Sequence, residues 1–341
     1  MVARRITIVG AGIIGLWQAL TLARAGHAVR LIEASVTPFA DAASRWAGAM
    51  VAPDCEAEAA PEVVRALGHE ALALWRTTYP DLLCRGSLVV AAPRDRGELT
   101  RFARLTRGAQ ALDAAALAEL EPALGGRFAT GLYFPQEAHM ETPRALDFLL
   151  AAVRNCGVEV HLGRTWQPDQ AVEQGGTGLV IDCRGLAART ALPQLRGVRG
   201  ERLLLRSSEV RLSRPVRLLH PRASFYIVPW SEGRFMVGAT VIESADTVAV
   251  TVRSALELLG LAYALHPAFG EAEILELGAG VRPAFPDNVP RIVVRGRTIH
   301  VNGAYRHGFL LAPVLARAVA AHLGNGRVDD QIMSIEQPAT A

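Results

Sequence analysis

The stretch ITIVGAGIIGLWQALTLARAGHAVRLIE, residues 6–33, constrains this chain more than any other. Read as hydropathy, it is an apolar run from Ile6 to Ala23 behind Arg4 and Arg5, with small residues beyond. That is the outline of a secretory signal, and nearly that of a spanning helix of about 20 residues. Read as backbone, it is a strand (Ile6–Val9), a glycine turn, a helix (Ile14–Ala25) and a second strand (Ala28–Ile32). Gly10, Gly12 and Gly15 fit G-x-G-x-x-G between strand and helix: the first for a tight turn, the second for close approach of a pyrophosphate, the third for packing helix on strand. Gly26 stands where a helix C-cap belongs. Glu33 closes the second strand roughly 20 residues past the first glycine, where a carboxylate accepts hydrogen bonds from ribose hydroxyls. A signal or anchor has no use for that combination. The stretch is expected to hold a dinucleotide, with pyrophosphate on the helix N-terminus, where amides and dipole favour negative charge.

Composition narrows the rest. A chain of 341 residues has room for two domains and a sizeable core. All 36 basic residues are arginine, so lysine Schiff-base chemistry is excluded. The arginines are dispersed and the net charge is only +3, so no nucleic-acid partner is expected. Cys55, Cys84, Cys156 and Cys183 form no CxxC pair and no metal cluster, and free thiols in a reducing cytoplasm are expected. The cysteine spacing gives no reason to anticipate a metal, and with no uninterrupted apolar run of membrane-spanning length beyond the opening stretch no membrane is anticipated.

After Glu33 the chain does not continue as the regular strand–helix alternation usual for a nicotinamide site. It leaves on SVTPFADAASRWAGAMVAPDCEAE and a helix from about Pro61 to Tyr79. Nucleotide-domain elements resume as a helix (Ala145–Asn155), a glycine stop at Gly157, a strand (Val158–Leu162) and a strand ending at Gly185. At the far end a strand (Thr298–Asn302), a turn (Gly303–Gly308) and a helix (Phe309–Leu323) complete the set. A first and a last strand–turn–helix around inserted material suit a long cofactor with two separately bound ends, and FAD fits that better than a nicotinamide dinucleotide. Between them, ERLLLRS, SFYIVPW and RFMVGATV read as strands, with SEGR as a turn, TVRSALELLGLAYAL as a covering helix and EILELGAGVRP as a strand leading back.

These segments, with WAGAMVAPDCEAE, VRGERLLL, FYIVPWSEGRFMVGAT, GAGVRPAFPDNVPRI and YRHGFLLAP in order, resemble the D-amino-acid-oxidase-type flavoproteins, and within them the glycine oxidases of thiamine synthesis. The resemblance implies an α/β fold: a Rossmann-like FAD-binding domain from 1–80, 141–197 and 280–335, with an inserted mixed-sheet substrate domain from 81–140 and 198–279. It implies oxidation of an amine α to a carboxylate, the α-hydrogen leaving as hydride to flavin N5 and O₂ returning the flavin with release of peroxide. The imine goes on to 2-oxo acid and ammonia, or to thiazole formation. By motif, Arg282 matches the carboxylate-binding arginine, Tyr226 the substrate tyrosine and Arg306 a second active-site arginine beside the flavin.

Cofactor contacts carried over the same way are Gly10, Gly12, Ile13, Ile14, Gly15, Glu33 and Ala34 around the adenosine and pyrophosphate. Ser44, Ala47, Gly48 and Met50 match the loop under the isoalloxazine, and Trp166 a backbone contact to adenine. Gly185 matches the second nucleotide motif, although DCRG departs from the commoner small-residue version. Gly308, Phe309 and Leu310, with Arg282 and Arg306, complete the flavin end. No cysteine lies between Ala279 and Asp287, where sarcosine oxidases of this type attach flavin, so FAD is expected to be non-covalent. Val241 and Ser224 depart from the glycine oxidase pattern near the substrate pocket. The expected protein is therefore a cytoplasmic homo-oligomer using a small amino acid and O₂. A D-amino-acid or sarcosine oxidase or dehydrogenase, or the flavin-binding subunit of a larger oxidase, stands as the alternative.

Overall fold

A computed structural model describes residues 3–166 and 178–336. The opening stretch supplies two adjacent interior strands of a seven-stranded sheet. From one edge its strands run Met333–Glu336, Arg291–Arg295, Thr298–Asn302, Leu179–Asp182, Arg5–Val9, Ala28–Ile32 and Glu159–His161. Every neighbouring pair is parallel except Arg291–Arg295 with Thr298–Asn302, which is a hairpin. Ile6, Ile8, Leu31 and Ile181 are fully buried, which accounts for the uncharged run: a central parallel strand covered by helices has no polar face.

The helices Ile13–Arg24, Glu62–Thr78, Thr142–Asn155 and Gly308–Asn325 share one core with this sheet. Trp75 ties three of them: its Nε1 donates to the Phe309 carbonyl at 2.7 Å, its ring stacks on Phe309, and Trp17 meets it edge-on at 4.9 Å. Helix Gly308–Asn325 is long and apolar enough to cross a membrane, despite Arg317 interrupting the run. Its residues from Phe309 to Ala316 are buried in the protein core. Helix Ile13–Arg24 ends as the sequence predicts: Gly26 has φ +86°, and His27 N–H returns to the Leu22 carbonyl at 3.1 Å.

The second sheet has eight strands in the order Glu273–Ala284, Arg196–Arg206, Arg234–Gly238, Tyr226–Pro229, Val216–Leu219, Ser87–Ala91, Thr130–Phe134 and Gln110–Asp113. Only the pairing of Val216–Leu219 with Ser87–Ala91 is parallel, so the sheet is mixed, as expected. SEGR is a hairpin turn with Glu232 at φ +61° and Gly233 at φ +66°, the paired left-handed residues that match strand twist. One face packs on helix Val252–Leu265 through Leu258, Ala262 and Leu265. Residues 81–140, to which the sequence pattern assigns no elements, supply three of these strands and the helices Arg96–Leu105 and Ala114–Leu120. Their apolar stretches are short and their partners lie far away in sequence, so periodicity alone does not reveal them. The cuts drawn at 197/198 and 279/280 fall inside the two long paired strands Arg196–Arg206 and Glu273–Ala284.

Candidate active site

The glycine turn expected to hold the nucleotide is a backbone cradle that side chains would fill. Gly10 has φ +97°, and a Cβ there would stand 2.6 Å from the Cys183 carbonyl. A Cβ on Gly15 would stand 1.8 Å from the Gly10 carbonyl. Gly12 caps helix Ile13–Arg24 without a side-chain bond, and the Ser44 hydroxyl accepts from Ile13 N–H at 3.0 Å. Glu33 accepts from Ala11 N–H at 2.7 Å and from Ser35 N–H at 3.0 Å, so its carboxylate sits on the glycine turn. Ile13 is buried, Ile14 partly so, and Ala34 is exposed. Trp166 lies under the Arg30 guanidinium at 4.9 Å, and its Nε1 finds no partner among the described residues. Gly185 opens a short helical turn, and Asn302 Nδ2 donates to its carbonyl at 2.8 Å. A backbone turn free of Cβ atoms, a helix N-terminus and an acid on that turn fit the adenosine diphosphate half of FAD.

Behind Gly185 lies a group that the sequence reading does not single out. Asp182 is fully buried, accepts from Arg184 Nε at 2.9 Å, and lies 3.0 Å from His300 Nδ1. Burial would raise its pKa, but the His300 and Arg184 contacts outweigh that and hold the carboxyl down at about 2, against 3.8 for a free aspartate. A depressed carboxyl contributes stability that is present above its unfolded pKa and lost as pH falls through its folded one. Asp182→Asn should therefore cost about 2 kcal/mol near neutrality. The gap to the native protein should close as pH drops from 3.8 towards about 2, which acid unfolding curves of both proteins measure.

The residues expected to meet the substrate lie on the other face of the eight-stranded sheet. Arg217, Tyr226, Gly238, Arg202 and Gly278 stand directly opposite one another across neighbouring strands, so their side chains share that face. Gly280 and Arg282 follow Gly278 on it by strand alternation. Arg282 Nη1 donates to the Thr240 carbonyl at 3.2 Å, and its guanidinium lies over Gly200, where a Cβ would come within 2.2 Å of Cζ. Tyr226, Arg306, Tyr305 and Glu56 all lie close enough to act on the Arg282 charge; burial lowers its pKa, and Tyr226 is the largest influence in the other direction. Gly200→Ala should displace the Arg282 guanidinium at an overpacking cost of about 1–3 kcal/mol. The expected result is a fall in kcat/KM of about tenfold or more with flavin content unchanged.

The loop expected beneath the isoalloxazine is clamped to this face. A Cβ on Gly48 would meet the Tyr226 ring at 2.8 Å and Met236 Cε at 2.6 Å, so only glycine lets the loop this close. Trp46 lies over Gly278 and Gly280, with the Arg45 and Arg202 guanidiniums each 5.0 Å from its ring. Thr142 Oγ1 donates to the Ala47 carbonyl at 2.7 Å, and Met50 pairs with His139.

The turn carrying Arg306 is tied to the Arg282 strand: Tyr305 N–H donates to the Pro283 carbonyl at 3.0 Å, and Ala304 bridges to Ala284. The turn delivers Gly308, Phe309 and Leu310 into a helix start that touches Ile13. Two helix N-termini therefore lie side by side. The structure thus brings Tyr226, Arg282 and Arg306 together and leaves Glu33 and Trp166 with the first sheet. Ser224 is exposed and Val241 is 41% exposed, so neither departure is a buried one.

Glu56, Arg217 and His307 also belong to this cluster. Arg217 donates to Glu56, whose other oxygen is 3.4 Å from His307 Nδ1. Burial opposes ionisation of Glu56, but Arg217, Arg306 and His307 overcome it and hold the carboxyl near 2. Burial pushes His307 down to about 4. The sequence signal for Arg217 is a lone charge inside the apolar strand of PVRLLH; for Glu56 it is an acid in a loop of small residues.

A family model described as FAD dependent oxidoreductase (DAO) matches residues 5–322. The Rhizobium etli protein named for ThiO, an oxidoreductase of thiamine biosynthesis, is 52% identical over 320 residues, 94% of this chain and 96% of that one. A glycine oxidase of Geobacillus kaustophilus is 26% identical over 355 residues, covering 92% and 91% of the two chains. The crystal structure of glycine oxidase from the same organism superposes with a TM-score of 0.79 over 96% of each chain at 24% identity.

Proposed function

The chain belongs to the FAD dependent oxidoreductase family, and from that premise we propose that it oxidises the amine of glycine or another small amino acid, yielding an imine that enters thiazole formation for thiamine or hydrolyses to 2-oxo acid and ammonia. The observation that carries this reading is the guanidinium of Arg282 on the same sheet face as Tyr226, backed by Gly200 and flanked by Arg306. The name of the Rhizobium etli relative supports the thiamine assignment.

When bound, FAD supplies the two-electron acceptor for the hydride leaving the substrate Cα. The chain's residues do the positioning. Arg282 has one nitrogen engaged by the Thr240 carbonyl, and its remaining donors take the substrate carboxylate. The Tyr226 hydroxyl, on the neighbouring part of the same face, hydrogen-bonds the substrate and fixes its rotation about the carboxylate. Gly48 and Trp46 bring the loop against these groups, which narrows the orientations open to the Cα–H bond. Ser44, Glu33 and Gly185 hold the nucleotide, and the flavin is non-covalent, in keeping with the absence of cysteine from 279–287. The same reading assigns the seven-stranded sheet to cofactor and the eight-stranded sheet to substrate. It includes self-association through the exposed Ile274 and Leu277 of the edge strand Glu273–Ala284, which light scattering checks.

Peroxide release from the FAD-loaded protein with glycine, sarcosine and D-alanine tests the activity. Release with glycine is the expected result. Preference for sarcosine or a D-amino acid would move the assignment within the family, and flavin reduction without peroxide would indicate a dehydrogenase.

A further inference from the structure

Among the described residues four guanidiniums border this face, Arg202, Arg217, Arg282 and Arg306, and two of them are paired: Arg202 with Glu276 at 2.7 Å, and Arg217 with Glu56. Glu56 takes Arg217 on one oxygen and faces His307 with the other, joining the helix Pro53–Glu56, the strand Val216–Leu219 and the turn before helix Gly308–Asn325. The pair is enclosed: the side chains of Glu56, Arg217 and His307 are 12%, 9% and 3% exposed. Arg217 stands directly opposite Tyr226, so its charge borders the space where a substrate side chain extends. His307, held near 4 by burial, is neutral at physiological pH. The other carboxyl acting on Arg217, Glu137, is pushed up to about 7 by burial and compensates it only in part.

Resting on the reading of Arg282 as the carboxylate clamp, we propose that Glu56 is a specificity-determining residue. By neutralising Arg217 beside Tyr226, it confines the site to amines bearing a single carboxylate. With Glu56 ionised, a second anionic group on the substrate meets a closed ion pair, and the Glu56 charge repels it. With Glu56 neutral, Arg217 becomes a second anion site on the same face. Glycine, with no side chain, is unaffected by the choice; an amino dicarboxylate is not.

The test is equilibrium binding of two unreactive anions, acetate and malonate, to FAD-loaded protein, followed by perturbation of the flavin spectrum. The native protein should favour acetate. Glu56→Gln should shift the ratio of affinities towards malonate by about tenfold, the scale of one unit charge acting at close range in a partly buried site. Glu56→Gln/Arg217→Met, which removes both charges, should return the ratio to the native value; a merely structural role for Glu56 predicts no such rescue. Arg217→Met alone, which removes the guanidinium that would form the second anion site, should show no gain of malonate over acetate, and it serves if Glu56→Gln does not fold; a gain there overturns the proposal. An unchanged ratio in Glu56→Gln, or a double variant that still favours malonate, overturns the proposal. A native protein that binds neither anion contradicts the Arg282 reading instead, and the gain of malonate binding in Glu56→Gln is still required.

Discussion

Arg282→Ala should retain FAD and lose about 3 kcal/mol of transition-state binding, or roughly 150-fold in kcat/KM, the cost of removing one partner from a buried charge pair. The flavin should stay because the nucleotide cradle lies on the other sheet, around Gly10, Gly15 and Glu33. Arg282→Lys separates two contributions. It keeps a positive charge but loses the planar fork, and it cannot donate to Thr240 and grip both carboxylate oxygens in the same way. Most of the loss should therefore persist in the lysine variant, chiefly as a raised KM. Steady-state kinetics with glycine, together with the flavin spectrum of each variant, decide the point; turnover unchanged in Arg282→Ala would remove the carboxylate assignment.

Gly15→Ala should yield a protein purified largely without flavin. A methyl group at Gly15 would stand 1.8 Å from the Gly10 carbonyl, and the obstacle is backbone, which cannot rotate aside. Overpacking costs about 1–3 kcal/mol where side chains can yield, and this site belongs at the upper end or beyond it. Gly10 is already fixed by its N–H bond to the Ile32 carbonyl and by the close approach of Cys183, so the turn cannot retreat without opening the sheet. The ratio of flavin to protein absorbance after purification, and the Tm with and without added FAD, report the effect. Full flavin occupancy would show that the turn is not the pyrophosphate cradle.

Those two variants also mark what the sequence makes legible. The cradle is local: strand, glycines, helix and acid follow one another between Ile6 and Glu33, and each residue type is dictated by the backbone it must allow. The second strand and the strand before the last turn appear at Ala28–Ile32 and Thr298–Asn302 as expected. The face carrying Arg217, Tyr226 and Arg282 is not local. Arg217 and Tyr226 become neighbours only when Val216–Leu219 pairs with Tyr226–Pro229, and Glu56 reaches them from the short helix Pro53–Glu56. In one dimension Arg217 reads as the solvated side of an alternating strand, because nothing nearby supplies its counter-ion. Trp46 is similar: its place is set by the missing side chains of Gly278 and Gly280, a vacancy that exists only in three dimensions. Asp182 and His300 form a pair across adjacent strands, and DCRG alone gives no sign of the histidine. Arg282 and Tyr226 are legible before folding only because their surrounding motifs resemble those of characterised enzymes.

On the proposed reading, a carboxylate-bearing amine held by Arg282 gives up its hydride to FAD at this face. Anaerobic mixing of FAD-loaded protein with glycine tests it most directly, since no oxygen chemistry intervenes. The expected result is bleaching of the flavin's visible absorbance, with a rate that saturates in glycine and an apparent Kd raised sharply by Arg282→Ala. No bleaching with glycine, sarcosine or D-alanine at any concentration would contradict it.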